Sequence, residues 1–275
     1  MNQGSVPGAL LPGALRAEWT KLRTLPGTGW LLLAAAALTI AVGAAAAGAF
    51  GCTAAHGGCT PAATGADPAK IGLTGVYLGQ VVTAVLGVMV IGGEYGTGMI
   101  RVTLAAMPRR LSVLAAKAAV TAGGSLAAGL VAAAGSLLAG RLILPGRGLT
   151  TANGYVLLSL GNGADLRAAA GTMLYLALIA LLALGIATAV RDSAVAIGLV
   201  LGLLYLLPVV TAVLPDAALA RHLDQISPMT AGLYVQATTG LRSLPLTPWQ
   251  GLGVTALWAA GALLLGATVL RLRDA

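Results

Sequence analysis

Six stretches of this chain, each of 23 residues or more, contain no Asp, Glu, Lys or Arg: Thr24 to Ala66, Ile71 to Gly93, Ala118 to Gly140, Ala168 to Val190, Ser193 to Pro215 and Ser243 to Leu270. A helix crossing a hydrocarbon core of about 30 Å needs about 20 apolar residues, at about 1.5 Å of rise per residue. Every one of the six runs is long enough. A soluble domain carries about a quarter charged residues, whereas this chain has 9% charged and 58% hydrophobic residues. The expectation is an all-α membrane protein in one transmembrane domain, 1–275, with spans at about 29–50, 72–93, 112–143, 168–190, 194–214 and 249–271.

The basic residues orient this bundle. An even number of spans puts both termini on one side. That side holds Arg16, Lys21, Arg23, Arg101, Arg109, Arg110, Lys117, Arg191, Arg271 and Arg273, ten of the sixteen Lys and Arg residues. The other six, Lys70, Arg141, Arg147, Arg167, Arg221 and Arg242, are spread over longer loops. The positive-inside bias therefore favours cytosolic termini in a multi-pass cell-membrane protein. The net charge of +8 reads as topology; no basic run or aromatic-interleaved patch suggests nucleic-acid binding.

The preface Leu10 to Leu25 has a helical period. Leu11, Leu15, Trp19, Leu22 and Leu25 share one arc, while Arg16, Thr20 and Arg23 face away. This predicts an interfacial helix, ended by Pro26-Gly27 before the chain enters the bilayer at Trp30. Glu18 falls inside the apolar arc. It has two readings: an exposed pair with Lys21 at i+3, or a buried contact with a basic residue of the next cytosolic loop, such as Arg101. The long apolar run after it is unlike the short core of a secretory signal.

Between the second and third spans lies a glycine-punctuated basic loop, Glu94 to Lys117. Pro108 should end a short helix of about Gly98 to Met107 and begin the next, because proline suits a first helical turn and not an interior. A solvated loop shaped only by positive-inside bias would carry the same basic residues. On the other side, Cys52 and Cys59 lie in a Gly- and Ala-rich loop where an oxidising compartment permits a disulfide; free thiols, or a metal held with His56, are the other readings, the last short of a fourth ligand. Gln225 to Leu241 is uncharged, too short to span and too apolar for a solvated loop. A re-entrant hairpin or an interfacial helix pair within about 216–242 fits it.

No run contains an ionisable relay of the kind that drives secondary transport. The lysines Lys21, Lys70 and Lys117 lack the preceding glycine of a phosphate-binding loop, and no His-Glu-x-x-His pair exists. Ser125 and Ser136 have no base nearby in sequence and are expected to pack helices through backbone hydrogen bonds. The chain does not read as an enzyme, and it offers no catalytic, cofactor or metal site.

The order Glu18-Trp-x-Lys-Leu-Arg-Thr24, then Gly93-Glu-Tyr-Gly-Thr-Gly-x-Ile-Arg-x-Thr-Leu104, Pro108-Arg-Arg110 and Ala116-Lys117 resembles the permease subunits of ABC-2-type exporters. Ser227-Pro228-x-x-Ala231-Gly232, Pro248-Trp249-x-Gly251-Leu252 and the Arg-Leu-Arg-Asp ending at Asp274 are similar to actinobacterial members. The resemblance implies an amino-terminal elbow helix, carrying Glu18, Trp19, Lys21 and Arg23, and a cytosolic coupling helix between spans 2 and 3. It also implies a docking loop of Glu94, Tyr95, Gly96, Arg101, Pro108, Arg109, Arg110 and Lys117 for a separate ATP-binding subunit, which would hold ATP and Mg. A second permease subunit, identical or not, would share the pathway, and Pro228 and Gly232 would lie in an outer gate. Gly75-x3-Gly79 and Gly198-x3-Gly202 would permit close helix approach, between subunits or within one. From another functional class, a non-transporting assembly or sensor protein could recruit a soluble partner through the same loop.

Overall fold

The computed structural model describes residues 13, 15, 16, 18, 20, 26–51, 60, 64–100, 102, 110–159 and 161–272. Among these there is no strand. Six helices are long and apolar enough to cross a membrane: Gly27–Ala49, Pro68–Gly96, Arg110–Arg147, Gly163–Val190, Ser193–Val213 and Pro248–Leu272. The first begins and the sixth ends at what we call the terminal end of the bundle; the opposite end is the far end.

Four of the expected boundaries move, and the causes are local. Pro26 opens the first helix instead of breaking the chain before it, since its missing N–H is no loss at a first turn. The second span starts at Pro68, because the Asp67 carboxylate accepts from Ala69 N and Lys70 N and caps it. Its last turn keeps Glu94 helical. The fourth span starts at Gly163, capped by Asn162, and includes Asp165 and Arg167. A charge marks a span end only while it is solvated; where it caps or pairs, the helix runs past it.

The fourth span is the axis of the bundle and packs against the second, third, fifth and sixth. Tyr175, Ile179, Leu182 and Leu184 on it are fully buried. Small residues make this possible, since in a bilayer helices associate through close packing. Gly75 and Gly79 lie directly on the first span, at Thr39 O and the Thr39 hydroxyl, so this pair packs helices within the subunit. Gly198 and Gly202 have open space where a Cβ would be. The fifth span that carries them packs on the second and fourth and leaves Val195, Leu199, Leu206 and Val209 exposed.

The helix Arg110–Ile143 has 34 residues, about 51 Å at about 1.5 Å each, and so outreaches the hydrocarbon core. At the far end, residues after it fold back over the bundle: Leu144, Leu149, Tyr155 and Leu158 form a second core with Leu73 and Leu137.

Candidate coupling site and far-end gate

Lys117 does not sit in a solvated docking loop, contrary to expectation. The structure places it two turns into the third span, 1% exposed. Its Nζ donates to Glu18 Oε2 at 3.0 Å, Glu94 Oε1 at 2.7 Å and Val90 O at 3.3 Å. Glu18 thus makes a buried contact with Lys117, and Glu94 belongs to the same cluster; Arg101 lies outside the described residues. The reason is geometric. One turn of elbow helix, the last turn of the second span and the second turn of the third converge, and a buried ammonium is tolerated only where carboxylates meet it. Elbow residues 13, 15, 16, 18 and 20 are helical, with Glu18 buried and Arg16 and Thr20 exposed. Trp19, Lys21 and Arg23 lie outside the described residues.

Two arginines complete the terminal end. Arg110 Nη1 donates to Leu270 O at 3.0 Å, joining the third span to the sixth. Arg191, the one described non-glycine residue at positive φ, ends the fourth span with its guanidinium 5.9 Å from the Tyr95 ring centre. Hence Glu94, Tyr95, Arg110 and Lys117 are structural at least in part. The docking role then rests on the segment beyond Tyr95. Gly96 is exposed, Gly98 turns the chain at φ 71°, and Met99, Ile100 and Val102 are helical. Ile100 is buried, whereas Met99 and Val102 point out at 51% and 70% exposure. A reading based on charge missed these two apolar residues. Arg101, Pro108 and Arg109 lie outside the described residues, as do Cys52, His56 and Cys59.

A polar chain crosses the interior. Gln80 on the second span, fully buried, donates through Nε2 to Tyr205 OH on the fifth at 2.9 Å and lies 3.2 Å from Met229 Sδ. Tyr175 OH on the fourth span donates to Gln80 Oε1, and Tyr205 OH donates to Tyr77 O. These residues are far apart in sequence, so no spacing pattern reveals them. Ser125 and Ser136 are buried, but their hydroxyls have no hydrogen-bond partner among the described residues, contrary to expectation.

The far-end segment holds a pair of short helices, of which the second is buried against the spans. An amphipathic helix, Ala217–Ile226, is capped by Asp216. A buried one, Pro228–Leu233, comes next, capped by Ser227 with Pro228 in its first turn. Pro228 O accepts from Thr255 Oγ1 at 2.8 Å, and a Cβ on Gly232 would stand 2.6 Å from the Tyr175 ring. Only glycine lets this helix lie so close to the fourth and sixth spans. Tyr234, just beyond, has its phenol pushed up by burial and by the Asp224 charge.

Asp67 fastens the end of the segment. Besides capping the second span, it accepts from Thr238 N at 2.5 Å, Thr238 Oγ1 at 2.7 Å and Thr239 N at 3.0 Å. Arg167 Nη2 donates to Ala237 O at 2.6 Å beside it. Neither residue stood out in the sequence, because a carboxylate before a helix is explained by capping alone.

No group of His, Cys, Asp and Glu side chains among the described residues could hold a metal ion. No curated protein matches the chain. Among known families, the one described as ABC-2 family transporter protein matches residues 14–209. That span runs from the elbow through most of the fifth helix and so takes in the Glu18, Glu94 and Lys117 cluster and the Gln80 chain. With most of its length matched and six membrane-spanning helices in place, the chain belongs to the ABC-2 transporter family.

Proposed function

We propose that this protein is the membrane-spanning permease subunit of an ABC exporter in the cell membrane, with cytosolic termini, coupled to a separate ATP-binding subunit that holds ATP and Mg. The observation that carries the reading is the Lys117 cluster, which ties the elbow and the second and third spans together at the foot of the 97–109 loop. A push on that loop reaches three elements at once. The third span carries displacement along its length, and the Gln80 chain links the second, fourth and fifth spans to Met229 of the far-end segment. Docking at the terminal end thereby moves the gate at the far end. A second permease subunit, identical or not, completes the pathway.

Met99 and Val102 are the anchors that this reading assigns to the partner. Changing both to Glu alters exposed positions only, and loss of an apolar anchor costs about 2 kcal/mol or more. Co-purification of an ATP-binding subunit should then fall by at least about tenfold at normal membrane level. Arg109→Glu is the companion test; adding Arg110→Glu would also break the bond to Leu270. Unchanged co-purification in both variants, or a captured partner that binds no nucleotide, would favour a non-transporting assembly protein instead.

Topology has its own test, in a background with Cys52 and Cys59 replaced. A cysteine at exposed Thr151 should react with an impermeant maleimide on intact cells, and one at exposed Thr97 only after permeabilisation. Labelling of Thr97→Cys on intact cells would reverse the orientation.

A further inference from the structure

An apolar groove of about 560 Å³ runs between the fourth, fifth and sixth spans, with Leu182, Leu203, Val254, Trp258 and Leu265 among its walls and Ile226 at its mouth. From Val254 to Leu265 it covers twelve residues of helix, eleven rises of about 1.5 Å or about 16 Å, close to half of the roughly 30 Å core. It is open on the side of Leu257 and Leu265, which are 75% and 56% exposed. On a bundle of membrane-spanning helices an opening flanked by exposed leucines favours hydrocarbon over water.

The mouth is polar in a specific way. Trp258 Nε1 donates to Ile226 O at 2.8 Å, fixing the end of the amphipathic helix over the groove. That helix carries exposed Arg221 and His222, with His222 one turn from Ile226 on the same face. Its acidic residue, Asp224, bears on Tyr234. Below the mouth is a slot one leaflet deep with hydrocarbon walls; above it is an amphipathic helix of the kind that lies at a membrane interface, with Arg221 and His222 exposed and Asp216 and Asp224 as its acidic residues.

We propose that this groove is a binding site for one acyl chain of an anionic phospholipid in the far-end leaflet, its phosphate beside Arg221 and His222. The bound chain bears on Ile226 and so on the helix that leads into the buried Pro228–Leu233 turn, giving the lipid a hold on the gate. The groove is lined by residues of one subunit. It rests on the membrane-spanning fold and does not depend on the exporter reading.

Gly261 lines the groove and has open space at its Cβ position, so Gly261→Phe starts its side chain without a backbone clash and takes up space in the slot. Native mass spectrometry of the detergent-purified chain with added phosphatidylglycerol should show one retained lipid per parent chain. Gly261→Phe should weaken retention on the order of tenfold, the equivalent of about 1.4 kcal/mol. Gly198→Leu, at an open position on the fifth span, should retain lipid like the parent and so controls for general loss of annular lipid. Arg221→Gln should reduce the preference for phosphatidylglycerol over phosphatidylcholine while leaving the chain bound. Equal retention by parent and Gly261→Phe, or no retained lipid in the parent, would overturn the site. If Gly261→Phe gave too little protein, a Trp258 single-tryptophan form in nanodiscs would decide. Mid-chain brominated phosphatidylglycerol at a few per cent should quench it far more than brominated phosphatidylcholine at the same level, and equal quenching would count against the proposal.

Discussion

Lys117→Met is expected to destabilise the bundle by about 3–5 kcal/mol, the range for removing one partner from a buried ion cluster. Lys117 is shared by Glu18 and Glu94, and both carboxylates are nearly as buried as it is. A thioether can offer neither of them a proton. With a stability of about 5–15 kcal/mol typical of folded proteins, such a loss should be visible as low membrane abundance and a lowered thermal midpoint. Converting Glu18 and Glu94 to Gln in the same chain should restore much of it, because the carboxylate charges that Lys117 met are then removed along with it. A Lys117→Met protein that melted like the parent would show that the cluster contributes nothing to the fold.

At the opposite end, Asp67→Ala should release the far-end segment from the second span. The alanine side chain accepts no hydrogen bond, so the helix loses its cap, at about 0.5–2 kcal/mol, and the part-buried Thr238 N loses its acceptor, at about 1–3 kcal/mol, while water can replace part of what the exposed Thr239 N loses. These bonds share one carboxylate, so the sum is below full additivity; about 3 kcal/mol is the expected total. Asp67→Asn keeps one accepting oxygen and should lose roughly half as much. The readout is the labelling rate of a cysteine at Thr238 under native conditions, which should rise at least tenfold for Asp67→Ala and less for Asp67→Asn. Equal rates in parent and Asp67→Ala would mean that Arg167 and the core alone hold the segment.

Number and order of the spans could be read from the chain because the bilayer tolerates so few charges that their absence is a length measurement. Span ends were less legible. Glu94, Lys117 and Asp165 all sit inside helices, since a charge that finds a partner or a cap need not leave the membrane edge. The elbow showed its apolar arc, and Glu18 stood out as the residue that broke it. Its partner did not, because 99 residues separate Glu18 from Lys117. Glycine spacing was equally ambiguous: Gly75 and Gly79 abut the first span while Gly198 and Gly202 face open space, yet both pairs read Gly-x3-Gly. The Gln80 chain was invisible for a further reason. Its members come from the second, fourth and fifth spans and the far-end segment, and each alone is an ordinary polar residue in a helix.

That separation of 99 residues also sets a clock on biogenesis. At ribosomal speeds of roughly 5–20 residues per second, Glu18 is made about 5–20 s before Lys117 exists. During that interval the first two spans can enter the bilayer, but Glu18 cannot yet form its buried pair with Lys117. The Glu18–Lys117 pair therefore forms only after the third span has begun to be made, and the charge that unites the three elements closes a late step in the assembly of the nascent chain.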